Sequence, residues 1–179
     1  MVCVGIKIVD MDIITIVGVN VDEHYNAFEE KAKRILSECT YMVVGTSTND
    51  GKPWIAPMLY VYDKDYSLYF LSAVDAVHSE NILKNPNVSI AIFDSHQKIG
   101  ISDGIQIEGR AELVEKDEIK KAITLYCNKM FPDSDIAPTK RYIPEDYLGA
   151  SEFRFFKIKP VNTYITGEDR RVRVQLNCK

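Results

Sequence analysis

The chain has 179 residues, of which 46% are hydrophobic and 27% are charged, as in an ordinary soluble globular protein. Its formal net charge of −4 argues against a nucleic acid or an anionic membrane surface as the main partner. The four cysteines show no CxxC and no metal-ligand spacing, and no secretory signal accompanies them. We therefore expect a protein without a metal site in a reducing, cytoplasmic setting.

The first twenty residues, MVCVGIKIVDMDIITIVGVN, are apolar but interrupted by charged side chains. No uninterrupted apolar run is long enough for a membrane span, and no basic start precedes a long apolar core as in a signal peptide. The alternation of Val2, Val4, Ile6 and Ile8 is typical of a strand. We expect residues 1–21 to form an extension or edge strand, and residues 22–179 to form a single domain.

The next elements are a helix and a group of strands. Apolar residues at intervals of three and four predict an amphipathic helix over residues 22–39. Period-two patterns then predict three strands in an antiparallel meander: 41–47, 53–61 and 66–72. Asp50-Gly51 is a strong hairpin signal between the first two. Because Pro53 and Pro57 cannot donate to a ladder, the second strand is expected at an edge or interrupted there.

The remaining elements extend this sheet. A short helix is predicted over about residues 77–84 and a longer one over 116–131. Period-two patterns predict five further strands: 88–94, 104–114, 153–160, 161–166 and 172–176. Three of the seven prolines lie in residues 132–150, which are expected to be irregular and either to cap a substrate pocket or to pack on the domain. At least six mostly antiparallel strands predict a mainly β fold, a closed or nearly closed barrel.

The segment SAVDAVHSENILKNP (72–86) is the main candidate for a site, because no GxGxxG, P-loop, HExxH or GxSxG motif is present. A strand ends at Ser72 and a helix opens within a few residues. The free amides of a helix start favour an anion, and His78, Ser79 and Asn81 add side-chain donors. The alternative is that Asp75 caps the helix and His78 faces solvent. His24 and His96 are more typical of solvated surface residues.

The order of elements resembles the pyridoxamine 5′-phosphate oxidase-like family of FMN-binding split barrels. The residues that carry this resemblance are VVGTSTNDGKPWIAPMLYVYDKDYSLYFLS, HSENILKNPNVSIAIFD, GIQIEGRAELV and FFKIKPVNTYI, within residues 23–176. The resemblance implies a six-stranded antiparallel split β-barrel. It also implies a homodimer with two flavin sites between the subunits and a small-molecule substrate.

The resemblance also implies which residues hold the cofactor. The phosphate is expected near the positions that match Ser72, Val77 and His78, with Asn81 one turn further on. The second-strand stretch expected to border the flavin ring is Ile55, Ala56, Pro57 and Met58. The stretch expected to close the site is Gly104, Ile105 and Gln106, with Arg171 in the C-terminal region that approaches the cofactor in some relatives. Trp54 either stacks on the ring or substrate or packs at the barrel rim.

Some basic residues of the family are missing. Ala76-Val77-His78 stands where relatives commonly have Ser-Arg-Lys or Ser-Arg-His, and Ala56 and Val61 replace basic residues of the vitamin B6 oxidases. The lost contacts to the phosphate would have to be replaced by helix amides, by His78 or Lys52, or by an arginine of a partner subunit. The leading hypothesis is an FMN-dependent oxidoreductase in which the cofactor carries the chemistry. The alternatives are a non-catalytic protein that binds haem, a deazaflavin or a flavin, and a plain interaction module; no catalytic side chain is assigned.

Overall fold

The computed structural model describes residues 21–166 and 171–176, with side chains from residue 26 onward. The expectations for residues 1–20 and for the side chain of His24 lie outside the described part. The helices are α1 (Val21–Glu38), α2 (Val77–Lys84), α3 (Ile119–Met130) and α4 (Pro138–Arg141), with a 3-10 helix over Pro144–Tyr147. The strands are β1 (Tyr41–Ser47), β2 (Pro53–Leu59), β3 (Val61–Tyr62), β4 (Leu68–Ala73), β5 (Asn87–Phe93), β6 (Gly104–Leu113), β7 (Phe153–Thr166) and β8 (Arg171–Val174). No described helix is long and apolar enough to cross a membrane.

The strands form one antiparallel sheet in the order β2-β1-β5-β6-β7-β4-β3, and β8 pairs with β7. The sheet curls around a core that α1 and α2 help to fill, and the fold is the mainly β split barrel that the sequence predicts. In β6, Ile105, Ile107, Gly109 and Ala111 face inward while the residues between them are exposed, as their alternation predicts. The described residues form eight strands, above the predicted minimum of six.

The hairpin between β1 and β2 forms where Asp50-Gly51 predicts it. Gly51 has φ +87°, a conformation that glycine adopts without strain, and Thr48 N–H donates to Lys52 O at 3.0 Å. β2 lies at the end of the sheet order, so the edge position expected from its prolines is confirmed.

The predicted three-stranded meander is wrong in its third strand. The segment 53–61 breaks at Tyr60, which is fully buried and donates its hydroxyl to Leu36 O at 2.9 Å. This anchor under α1 redirects the chain, so that β3 pairs with β4, and β4 pairs with β7 rather than with β2. The order of the described strands ends at β2 and at β3, and no described ladder joins β2 to β3 or β4, so the barrel is split there.

β7 is one strand of fourteen residues where the sequence predicts two. The register with β6 shifts between Glu108 and Gly109, and Val161 is the extra residue on the β7 side. This bulge follows Pro160, which cannot donate to the ladder. The strand therefore bends at the predicted boundary without ending.

The excursion 132–150 packs on the outer face of β4 and β7 together with α3. Tyr147 and Tyr126 pack edge-to-face on Phe155 with ring centroids at 5.4 and 5.6 Å, and Tyr142 contacts both tyrosines. These contacts favour the packing alternative for this segment. Its two short helical turns replace the irregular structure that its prolines predict.

A buried carboxylate anchors α3 to the β3–β4 turn. Asp63 accepts hydrogen bonds from Tyr69 Oη at 2.9 Å and Lys121 Nζ at 2.6 Å. Burial alone would raise the pKa of Asp63, but the bonds from Lys121 and Tyr69 hold the pKa below its usual value. Burial also raises the pKa of Tyr69 well above its usual range.

Candidate functional site

The outer face of β2, β1, β5 and β6 remains uncovered by the described elements and carries a groove. Its volume is about 670 Å³, within the range of small-molecule sites. The walls are Trp54, Ile55 and Val161, which are 46%, 70% and 58% exposed. Together these exposed apolar side chains surround one groove, which makes it the candidate binding surface of the described residues.

The floor of the groove lies at Gly45, which the sheet register places between Ile55 on β2 and Ser89 on β5. A Cβ at Gly45 would come within 2.5 Å of Ser89 Oγ. Because Gly45 has no side chain, the hydroxyl of Ser89 can occupy this space, and no side chain at position 45 fills the floor of the groove. Glu108 and Arg110 on β6 supply the charged groups of the lining, and Arg110 Nη1 donates to Asn87 Oδ1 at 3.3 Å.

The predicted stretch of β2 alternates across the strand. Ile55 and Pro57 are exposed on the outer face, whereas Ala56 is buried and Met58 is half-buried toward the barrel interior. Trp54 is exposed at the start of the strand, and its carbonyl lies 3.5 Å from Thr46 Oγ1. Of these residues, Trp54 and Ile55 line the groove.

Ser72 and His78 come together as the sequence predicts, but they bind each other. Ser72 Oγ and His78 Nε2 are 2.7 Å apart, and both side chains are buried. The imidazole packs on Phe70 with ring centroids at 6.3 Å. Burial lowers the pKa of His78 below its usual 6.5, so the ring is neutral at pH 7. The alternative in which His78 faces solvent is wrong.

The start of α2 has no side-chain cap. Ala76 is the N-cap residue, and Asp75 is exposed rather than capping. The first helical hydrogen bond runs from Glu80 N–H to Ala76 O at 2.9 Å, so the amides of residues 77–79 have no helical acceptor. Val77 is exposed at this helix start, whereas His78 and Ser79 are buried.

Two other polar residues of α2 point inward. Asn81 Nδ2 donates to Thr46 Oγ1 at 3.1 Å, which ties the helix to β1. Ser79 Oγ is fully buried and has no hydrogen-bond partner among the described residues. Neither side chain is therefore presented at the protein surface.

The remaining predicted residues lie at the other end of the strands. Gly104 pairs with Phe93, Ile105 is buried, and Gln106 Oε1 accepts a hydrogen bond from Arg171 Nη1 at 3.3 Å. Gln106 is four residues from Arg110 along β6, or roughly 13 Å at the usual rise of a strand. One chain therefore places the predicted site residues in three separate regions: the groove, the start of α2, and the far end of β6 with β8.

Sequence reasoning did not assign Gly45, Arg110 or Val161 to the site. Arg110 is on the exposed side of the alternating strand 104–114, and this was the available signal. The other two join the groove through pairing partners distant in sequence, which local patterns do not show.

Comparisons with known proteins agree with this architecture. A family model described as pyridoxamine 5′-phosphate oxidase matches residues 28–166. A UPF0306 protein of Yersinia pestis is 29% identical over 85 residues, which are 47% of this chain and 57% of that relative's length.

Two solved structures share the fold. General Stress Protein 26 from Bacillus anthracis is 26% identical, with a TM-score of 0.56, and the match covers 82% of this chain and 98% of that chain. A heme binding protein from Mycobacterium smegmatis is 23% identical, with a TM-score of 0.64, and the match covers 82% of this chain and 57% of that chain. Since the family model matches most of the chain, the protein belongs to the pyridoxamine 5′-phosphate oxidase-like family.

Proposed function

We propose that the protein binds FMN between two copies of the chain and acts as an oxidoreductase on a small substrate. The observation that carries this proposal is the groove walled by Trp54, Ile55 and Val161 on the uncovered face of the sheet. Apolar and aromatic walls of this kind suit a planar heteroaromatic ring. The bound flavin would supply the hydride exchange, and the chain would hold the ring and exclude water from it.

The open edge of β2 offers a second reason to expect a flavin. An edge strand presents backbone N–H and C=O groups that no neighbouring strand satisfies. The polar edge of a flavin ring carries matching donors and acceptors. The stretch Ile55–Met58, which the family resemblance assigns to the ring, lies on this edge.

The phosphate is assigned to the start of α2. Its amides at residues 77–79 have no helical acceptor, and the helix dipole adds partial positive charge there. The Nε2 atom of His78 is already bonded to Ser72, so we do not assign it as a direct phosphate ligand. Its role is to support the start of the helix from below. The arginine that relatives commonly have at position 77 is missing, so we expect weaker phosphate binding than in those relatives.

The groove favours flavin over haem. Haem iron is usually held by His, Cys, Met or Tyr side chains. None of the described residues that line the groove is of these types. The heme binding relative therefore makes haem the second candidate on fold alone.

Two copies are proposed because one chain separates the predicted residues. The groove group includes Trp54 and Ile55, and the distant group includes Gln106 and Arg171. Tyr41 and Phe93 are also exposed, by 60% and 49% respectively. A two-fold axis over the uncovered face would bury these apolar groups and bring one copy's distant group toward its partner's groove.

The first test is an absorption spectrum of the purified full chain, followed by titration with FMN and with riboflavin under thermal-shift readout. We expect FMN to raise the melting temperature more than riboflavin, because riboflavin lacks the phosphate. Trp54→Ala should reduce the stabilisation by both flavins. Ile143→Ala, at a similarly exposed site remote from the groove, should reduce neither.

Two results would contradict the proposal. In the first, haem stabilises the protein and gives a Soret band while neither flavin has an effect, and the cofactor would then be haem. In the second, flavin stabilises Trp54→Ala as much as the unchanged protein, which would show that the flavin ring does not bind in the groove. Analytical ultracentrifugation tests the dimer independently of the ligand.

A further inference from the structure

The sheet has a free edge at β8. This strand pairs with Thr163–Thr166 of β7, and no other described strand pairs with it. Arg171 and Arg173 are exposed on one face of β8, whereas Val172 and Val174 pack on the barrel core on the other. A strand added at this edge would need apolar residues on the inner face and would gain from carboxylates on the outer face.

The two arginines lack acidic partners in the described part of the chain. Arg171 donates to Gln106 Oε1, and Arg173 donates to Asn162 Oδ1. Both acceptors are neutral amides, and neither arginine forms an ion pair with a described residue. Arg171 also lies over the ring of Tyr164, at 5.7 Å from its centroid. Among the described residues, the two guanidinium groups on this strand face therefore have no carboxylate partner.

The N-terminal segment contains a sequence that matches this edge. In VDMDI (9–13), Val9, Met11 and Ile13 alternate with Asp10 and Asp12. These are the only two acidic residues among the first twenty, and they have the same spacing of two as the arginines of β8. In a strand, both carboxylates would lie on one face and the three apolar side chains on the other.

We propose that residues 9–13 pair with the free edge of β8 as a further strand of the same chain. Asp10 and Asp12 then lie beside Arg171 and Arg173, and the apolar residues extend the inner face of Val172 and Val174. Opposite charges on neighbouring strands stabilise a sheet, and the added strand protects an edge that is otherwise open to aggregation.

The other open edges suit this segment less well. β2 contains Pro53 and Pro57 and has no charged side chain to match the aspartates. β3 has two residues. By contrast, α1 packs against β8, and the chain enters α1 at Val21. The seven residues from 14 to 20 can span up to about 25 Å when extended.

Charge reversal in the full chain tests the pairing. Asp10→Lys with Asp12→Lys, and separately Arg171→Glu with Arg173→Glu, should each lower the melting temperature by about 2–4 °C without flavin. The chain with all four changes should recover most of that loss. As a control, Asp133→Lys with Asp135→Lys has the same spacing at exposed positions remote from β8 and should give no recovery with the arginine changes. Additive losses in the four-fold variant would overturn the proposal.

Mixing the two charge-reversed proteins separates pairing within a chain from exchange between copies. Exchange would restore the melting temperature on mixing, because each segment would meet a complementary β8, and that result would overturn pairing within the chain. Hydrogen exchange of the peptide 171–176 gives an independent readout. It should be about tenfold faster in Asp10→Lys/Asp12→Lys than in the unchanged protein, and equal rates would contradict the proposal.

Discussion

His78→Ala removes a ring that the structure places under the start of α2. The imidazole is 7% exposed, packs on Phe70 and bonds Ser72 Oγ at 2.7 Å. The lost packing costs about 2–4 kcal/mol by analogy with other large-to-small core changes. The unpaired Ser72 hydroxyl adds about 1 kcal/mol or more. We therefore expect a loss of about 3–5 kcal/mol in the free energy of unfolding.

The assay is thermal unfolding at pH 7 without flavin. For a chain of this size a loss of about 3 kcal/mol lowers the melting temperature by roughly 6–12 °C. His96→Ala is the matched control, because the side chain of His96 is 92% exposed, and it should leave the melting temperature unchanged. A shift within about 1 °C for His78→Ala would refute the inference that this buried pair stabilises the barrel.

The same residue predicts a dependence of stability on pH. Burial holds the pKa of His78 in the folded chain below 6.5, its usual value in an unfolded chain. Between these two pKa values the unfolded chain binds the extra proton, so stability is complete above pH 6.5 and falls as the pH drops toward the folded pKa. This part of the pH profile should disappear in His78→Ala and persist in His96→Ala. Parallel profiles for all three proteins would show that another group titrates.

Three further changes test other parts of the structure. Val77→Arg adds a cation beside the free amides of α2 and should raise the affinity for FMN about tenfold without changing the affinity for riboflavin. Leu83→Arg, on the same helix, should change neither affinity. Equal effects on both flavins would mean that the phosphate does not bind at the start of α2. Asp63→Asn weakens the bonds that fasten α3 and should lower the free energy of unfolding by about 1–3 kcal/mol in urea titration; an unchanged midpoint would contradict that role. Gly109→Ala would place a Cβ 2.7 Å from Ile158 Cγ2, so urea titration should show a loss of about 1–3 kcal/mol, and a neutral effect would mean that β7 yields at its bulge.

The sequence predicted the elements whose signals are local. The Asp50-Gly51 turn, the alternation of strand 104–114 and the short helix after Ser72 each depend on neighbouring residues, and the structure contains all three. The spacing of apolar residues in a helix or strand reflects the burial of one face. It can therefore be recognised without knowing which element covers that face.

The sequence did not predict features that depend on distant pairing. The break at Tyr60 follows from a hydrogen bond to a residue 24 positions earlier, and no period change marks it. The groove has the same origin, because Gly45, Arg110 and Val161 become neighbours through the order of the strands. A site built on the face of a sheet is therefore visible only once the register is known.

The geometry of α2 also explains why a helix lies between two strands at this point. Its inward residues His78, Asn81 and Ile82 bind or pack on the barrel, so the helix closes an opening that strands alone would leave. Val77 and Leu83 face outward and take no part in that closure. The side chains therefore serve the fold, and the backbone amides of residues 77–79 have no helical acceptor, which is the feature on which the proposed phosphate site depends. A phosphate held by these amides would still be bound with valine at position 77, but more weakly than with arginine, because every residue except proline supplies the amide and only arginine adds the charge.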